Sequence, residues 1–294
     1  MHGWLVIDKP AGPGSTGIVA AVKRALREGG YAKSKVGHGG TLDPSASGVL
    51  PVAIGEATKL AGRMLGADKV YRFTIRFGEE TDTLDAAGKV VARSDRRPSA
   101  LDVAAVLRRF EGALDQVPPA FSALKVGGRR AYDLARAGAE VELKSRRVTV
   151  HELRLIAACD QEATLEARVS KGTYVRSLAR DIARALATVG HVTMLRRTKA
   201  GPFSLEQAIS LDKLAELAKA RSLEQALLPL TAGLDDIPAL PVTPDQAGLL
   251  RKGRKLVGIA AQHGLHLATA ESVPVALVEA GPGGDLRVVR GFNL

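Results

Sequence analysis

The stretch Gly37-His38-Gly39-Gly40-Thr41-Leu42-Asp43-Pro44 is where this sequence concentrates its means for chemistry. Glycines let backbone N–H groups approach an anion. Yet no Lys-Ser/Thr pair follows Gly40 as a P-loop needs, and Leu42 stands where the dinucleotide fingerprint has its third glycine. What is left is one acid, Asp43, held between Leu42 and the rigid Pro44, with the next carboxylate only at Glu56. Paired-carboxylate hydrolysis and two-metal nuclease chemistry want clustered acids and find none here. A lone carboxylate can attack as a nucleophile or accept a proton. It can equally be a turn aspartate before proline, and the local residues leave both readings open. The single Cys159 and six scattered histidines form no CxxC pair and no HExxH, so neither structural zinc nor an internal disulfide is expected.

The elements around this loop follow from hydrophobic periodicity. A strand over 5–8 runs into the turn Lys9-Pro10-Ala11-Gly12, after which Ser15 or Thr16 is placed to cap a helix. Its apolar Ile18, Val19, Val22 and Leu26 recur at helical spacing until Gly29-Gly30. An apolar run over 49–54 and a short helix over 56–65 come after the loop. Tyr71, Phe73, Ile75 and Phe77 alternate with Arg72, Thr74 and Arg76, which predicts a half-buried strand with two cations on its other face. Ser99 and Asp102 make a capping box. Ala163, Leu165, Ala167 and Val169 alternate with polar residues in a second strand of antiparallel type. A helix over 174–189 follows, with Arg176, Arg180 and Arg184 on one stripe. Mixed elements without a regular βαβ repeat indicate an α+β domain with a mixed, largely antiparallel sheet. Prolines at 229, 238, 241 and 244 suggest an interdomain connection, dividing the chain into 1–232 and a small β-rich module over 235–294. That module has a helix over 245–250, the cluster Arg251-Lys252-Gly253-Arg254-Lys255, and strands over 273–279 and 286–289.

The 294 residues are 46% hydrophobic, which excludes disorder and suffices for one large core or two compact domains. No run of about 18 apolar residues occurs, and the N-terminus passes straight into a strand that meets Asp8 and Lys9. Neither a membrane span nor a secretory signal is expected, and one cysteine fits a cytoplasmic protein. Forty-two Lys+Arg against 31 Asp+Glu give +11, which favours polyanionic partners if the cations share a surface and otherwise serves solubility. The runs offering phosphate contacts are Arg72/Arg76, Lys144-Ser145-Arg146-Arg147, the Arg176/Arg180/Arg184 stripe and Arg196-Arg197-x-Lys199.

Continued to Pro51, the segment from Gly37 closely resembles the active-site signature of the bacterial tRNA pseudouridine-55 synthases, the TruB family. Five further segments resemble that family in order. Asp8-Lys9-Pro10-x-Gly12 is similar to its N-terminal motif and Val70-Tyr71-Arg72-Phe73 to its tyrosine strand. The run from Gln116 to Lys125 resembles the base of an RNA-clamping insertion, about 116–150. Ser170-Lys171-Gly172-Thr173-Tyr174-Val175-Arg176-Ser177-Leu178 resembles the arginine motif, and Leu195-Arg196-Arg197-Thr198 the strand after it.

This resemblance implies a pseudouridine synthase fold with a PUA-like C-terminal RNA-binding domain, acting on uridine-55 in the T loop of tRNA. In that isomerisation the C1′–N1 bond breaks, the base turns and C1′ joins C5, which needs no cofactor, redox carrier or metal. Asp43 matches the catalytic aspartate, as nucleophile or base, and Arg176 the arginine that orients it. Tyr71 matches the tyrosine against the target base, its phenol near C5. Tyr174 and Leu195 match substrate-contacting positions, and His38 the residue that fills the RNA loop once the nucleotide is flipped out. Blander readings stay open beside these: Tyr71 and Leu195 as core, His38 as a surface loop residue, Arg176 as part of a solvated stripe. Gly39 stands where many relatives carry Thr, a change expected to alter flexibility more than chemistry. The implied partner is the T stem-loop of tRNA, bound by a monomer without a membrane. Two rivals remain. One is a guide-dependent synthase of a ribonucleoprotein, disfavoured by the short chain without a lysine-rich tail. The other is an RNA chaperone whose refolding activity would survive loss of Asp43.

Overall fold

The computed structural model describes residues 1–122, 124–137, 139 and 143–294. Ala123, residue 138 and residues 140–142, all within the expected clamping insertion, lie outside the described residues. In chain order the strands are β1 (Gly3–Lys9), β2 (Val36–His38), β3 (Ser47–Ile54), β4 (Lys69–Phe77), β5 (Glu79–Thr81), β6 (Val90–Arg93), β7 (Gly112–Gln116), β8 (Lys125–Val126), β9 (Arg129–Arg130), β10 (Arg146–Ala158), β11 (Glu162–Val169), β12 (Gly190–Ala200), β13 (Phe203–Ser204), β14 (Ala239–Pro241), β15 (Gly264–Ala270), β16 (Val273–Ala280) and β17 (Leu286–Gly291). The α-helices are α1 (Ser15–Glu28), α2 (Ala61–Gly66), α3 (Ala100–Leu107), α4 (Ala131–Arg136), α5 (Val175–Ala185), α6 (Leu211–Lys219) and α7 (Pro244–Arg251).

One large sheet runs β1-β3-β12-β4-β11-β10-β7, with β2 added to β3 and β13 to β12. Its pairs are antiparallel except β3 with β12, which meet in parallel only where Ser47 and Gly48 face Arg196 and Arg197. The expectation of a mixed, largely antiparallel sheet is met. Alternation in β4 puts Phe73, Ile75 and Phe77 on the face covered by α3 and α5, whose Val103, Val106, Leu178 and Ile182 complete one core. A second core joins β1 and β3 to α1 and α6 through Leu5, Ile7, Val52, Ile18, Val22 and Leu217. Tyr71 and Leu195 pack against both cores and so stand at the seam between the two helical coverings.

Several elements depart from the expectations. Neither Ser15 nor Thr16 caps α1: the N-cap is Gly14, and the Ser15 hydroxyl is spent elsewhere, on the backbone of Leu42. The segment 56–65 is a 3₁₀ turn, Gly55–Leu60, passing into α2. The helix over 174–189 stops at Ala185 because Ala187 adopts a left-handed φ of 55° and Gly190 opens β12. The start of the proline-rich connection is packed: Trp4 Nε1 donates to the Leu230 carbonyl, and Leu230 and Leu234 are buried.

Beyond it lies a four-stranded sheet, β14-β15-β16-β17, of which β14 and β15 had no counterpart in the expectation. Helix α7 begins at a Thr243/Gln246 capping box with Pro244 at the first turn, and the module has its own core around Leu250, Val275 and Val278. It also shares a core with the large sheet: Leu267, Leu277 and Phe292 pack with Trp4, Met64 and Phe203.

Candidate active site

The loop carrying Asp43 links β2 to β3, and its backbone polar groups are accounted for one by one. The Gly40 carbonyl accepts from Arg197 Nη2 at 3.1 Å and the Thr41 carbonyl from Arg197 Nη1 at 3.3 Å. Ser15 Oγ donates to the Leu42 carbonyl at 3.0 Å and accepts from the Leu42 N–H at 2.8 Å. The Asp43 carbonyl accepts from the Ala46 N–H. The Pro44 carbonyl accepts from the Gly12 N–H at 2.8 Å and from Lys9 Nζ at 3.3 Å. Four of these five consecutive carbonyls have fixed partners drawn from β1, α1, the turn between them and β12, and the Asp43 carbonyl is closed within the loop itself, which leaves Asp43 little freedom to wander. Gly48 makes this possible. Its φ is +104°, and a Cβ there would lie 2.1 Å from the Arg197 carbonyl.

Arg176, only 5% exposed, lies in the first turn of α5. Its Nη2 stands 2.8 Å from Asp43 Oδ2 and 3.0 Å from the Phe121 carbonyl, and Nη1 donates to the Thr83 carbonyl at 2.8 Å. A planar guanidinium holds three acceptors from separate segments while its partner carboxylate remains 38% exposed. Asp43, Tyr71, Tyr174, Arg176 and Leu195 line one cavity of about 340 Å³. Five of the six residues singled out from the sequence are thereby brought together. His38 is not: it sits half-buried in β2, its Nδ1 accepting from the Gly40 N–H at 3.4 Å. Burial and the nearby Arg197 guanidinium lower its pKa, favouring neutral imidazole.

Sequence reasoning passed over one buried cation, Lys69, and expected another, Arg197, among the phosphate contacts. Lys69 and Arg197 both line the cavity. Lys69 Nζ donates to the carbonyls of Met64, Leu65 and Ala67 at the end of α2. Burial first, and then the Arg197 charge, push its pKa down to about 8. Strand parity puts both on the cavity face: Lys69 shares the face of Tyr71, and Arg197 that of Leu195. Arg146 was expected on a surface. It stacks 4.6 Å over the Tyr174 ring at the cavity wall and bonds the Gly172 carbonyl through Nη2, while its Nε is buried without a partner.

Parity also corrects the expected phosphate contacts. Arg72 and Arg76 lie on the sheet face opposite Tyr71, where Arg72 pairs with Glu166 across the strands at 3.1 Å. Arg197 is 1% exposed. Arg180 pairs with Asp181, Arg184 with Glu80 and Arg196 with Asp8, so the stripe is not a free cationic surface. Gly39 does more than add flexibility: a Cβ there would lie 2.7 Å from Met64 Cβ, so the glycine makes room for α2.

Among the described residues no group of three His, Cys, Asp or Glu side chains could hold a metal ion, and no helix is long and apolar enough to cross a membrane.

Comparison with known proteins places this geometry in a family. The chain is 63% identical over 299 residues to the tRNA pseudouridine synthase B of Novosphingobium aromaticivorans, covering 100% of this chain and 98% of that one. Against the enzyme of the same name from Zymomonas mobilis it is 59% identical, covering 100% and 96%. Among solved structures, that of an H/ACA RNP bound to a substrate RNA containing 2′-deoxyuridine matches with a TM-score of 0.76 at 24% identity, over 99% of this chain and 85% of that one. The archaeal box H/ACA sRNP Nop10-Cbf5 complex matches with a TM-score of 0.74 at 24% identity, over 99% and 86%, and this likeness bears on the fold alone. Residues 176–235 match the tRNA pseudouridylate synthase B C-terminal domain, and residues 27–175 the N-terminal domain of the TruB family pseudouridylate synthases, so the chain, with Asp43 and Arg176 facing one cavity, belongs to the TruB family.

Proposed function

We propose that this protein isomerises a uridine of the tRNA T loop, uridine-55, to pseudouridine, with no guide RNA and no cofactor. The observation that carries the reading is the Asp43 carboxylate, anchored by Arg176 through Oδ2 at 2.8 Å and sharing a cavity with Tyr71. Among the described residues Oδ1 has no partner, so one oxygen is held while the other is free to react. Asp43 attacks C1′ or takes the 2′ proton, and the C1′–N1 pair leaves with the uracil. The base turns, C5 bonds to C1′ as the Asp43–C1′ bond breaks or the 2′ proton returns to C2′, and the C5 proton departs beside the Tyr71 phenol while N1 takes up a proton. Product and substrate have the same composition, so no oxidant or reductant enters. Both reacting carbons must meet these side chains inside the cavity, so the nucleotide is flipped from its stack, with Tyr71, Tyr174 and Leu195 around it. His38, on β2 and not lining the cavity, is assigned to fill the space the nucleotide vacates. We assign residues 1–232 to the chemistry and 235–294, with its Arg251–Lys255 cluster, to a PUA-like RNA-binding role, in a cytoplasmic monomer.

The test is incubation of the purified protein alone with unmodified tRNA, mapping pseudouridine by chemical modification and primer extension. One modified T-loop position is expected without added guide. Asp43→Asn should abolish turnover while tRNA binding stays within a few fold. A requirement for guide RNA, or turnover by a verified and undeamidated Asn variant, would overturn the reading. Full RNA refolding by that inactive variant would mark a separate chaperone activity.

A further inference from the structure

A second cavity opens beside the first and is lined by cations that the chemistry does not use. It is a groove of about 1010 Å³ between α1, residues 30–37 and the start of α2. Lys23 and Arg27 project into it from α1, and Lys33 and Lys35 from the segment leading into β2, all four exposed. None of its lining residues is acidic. Among the described residues none of the four cations forms an ion pair, whereas most arginines expected to meet phosphate do. Such a groove repels cations and attracts a polyanion over its whole length.

Two structural links tie it to the cavity that holds Asp43. Ala61 lines the groove and Leu65 lines the cavity. These residues stand at i and i+4 on α2, about 5–6 Å apart on one side of the helix. Gly37 lines the groove and precedes His38 in β2, which leads into the Asp43 loop. A strand of RNA leaving the cavity across the half-exposed Leu65 therefore enters the groove within one or two phosphates.

We infer that the Lys23/Arg27/Lys33/Lys35 groove binds the phosphodiester backbone of the RNA stem that continues from the target loop, and so sets the register in which the uridine reaches Asp43. The inference rests on the proposed function for the identity of the RNA. Recognition of this kind is by shape and charge rather than by bases, as expected for an A-form helix.

The decisive variant is Arg27→Ala/Lys33→Ala/Lys35→Ala. Its control is Arg96→Ala/Arg108→Ala/Arg109→Ala, which removes the same charge from exposed positions lining neither cavity. Affinity would be measured across a salt series for an isolated T stem-loop and for whole unmodified tRNA. Each lost phosphate contact lowers the slope of log K against log salt by about 0.7–0.9, so the groove variant should lose roughly two of slope on both RNAs. An unchanged slope, or equal losses in the control, would overturn the inference. A loss seen only with whole tRNA would overturn it too, since the groove would then hold another arm. Lys33→Glu alone, at an exposed site, supplies a second reading should the triple variant express poorly. Binding is read without turnover, so a wild-type protein that binds the stem-loop but modifies nothing would defeat the proposed function and leave this inference standing.

Discussion

Truncating Arg176 to alanine separates positioning from simple phosphate attraction. Arg176 is 5% exposed, donates hydrogen bonds to the Thr83 and Phe121 carbonyls at 2.8 and 3.0 Å, and forms an ion pair with Asp43 at 2.8 Å. Hydrogen bonds with a charged partner are worth about 1.5–3 kcal/mol each. Water can re-solvate the 38%-exposed carboxylate but reaches the carbonyls less easily. Arg176→Ala should therefore cost roughly 3 kcal/mol of stability, below a simple sum of the two hydrogen bonds and the ion pair. If the Asp43 ion pair is held through the transition state, its loss alone slows turnover about 10- to 150-fold, at about 1.4 kcal/mol per factor of ten. Arg180→Ala is the matched comparison from the same stripe, losing only a neighbouring Asp181 pair and a 3.2 Å bond to the Val117 carbonyl. A partly exposed pair of that kind is worth under about 1 kcal/mol, and the rate should stay within about twofold. Arg176→Lys keeps the charge without the fork and should fall between the two. Single-turnover pseudouridine formation at saturating tRNA, with urea unfolding to set a temperature where every variant is folded, reads both quantities. Equal rate losses at 176 and 180, or an Arg176→Ala defect confined to KM, would refute the positioning argument.

Tyr71→Phe should keep tRNA affinity and slow the step that releases the C5 proton, while Tyr71→Ala should also weaken binding by roughly 1–3 kcal/mol, the scale of one base–aromatic stack; equal turnover by Phe would exclude the phenol. Ser15→Ala leaves the buried Leu42 N–H and carbonyl without partners and should cost about 2–4 kcal/mol of stability, with kcat reduced more than KM. The Lys69 pKa of about 8 lies below the ordinary 10.5, so between those values the folded protein holds fewer protons than the unfolded one. The cost of burying this ammonium is in full force below about pH 8 and is relieved as pH rises toward 10.5, so unfolding free energy should rise more steeply with pH over that window in wild type than in Lys69→Met; parallel profiles would count against it.

Local periodicity carried a large part of the fold. Alternation located β4 and β11, and the Ser99/Asp102 pair forms the capping box its spacing implies. The elements that escaped depend on distant partners. Nothing local says that Ser15 forgoes a helix cap to hold Leu42, 27 residues away. Nor is β15 legible, since Gly264–Ala270 is a strand largely by pairing with β16 and β14. The candidate site was legible as residue types, five of six meeting in one cavity, but the Lys9, Ser15 and Arg197 straps that hold its loop were not.

Charge was the least legible property, and the reason is geometric. A run of cations in sequence states how many charges are near one another, whereas RNA responds only to those that face out and lack a nearby acid. Strand parity turns Arg197 inward and Arg72 to the opposite sheet face. Antiparallel pairing then supplies Arg72 with Glu166, a partner about ninety residues away that no window of sequence contains. The helical stripe fares likewise, Arg184 meeting Glu80 and Arg176 meeting Asp43. Where α1 and residues 30–37 form the groove, by contrast, no acid lines the wall and each of the four cations retains its full attraction for phosphate. The net +11 is therefore a poor guide to where RNA lies, because affinity follows the unpaired fraction. Removing paired arginines should leave the salt dependence of binding nearly untouched, and removing the four in the groove should not.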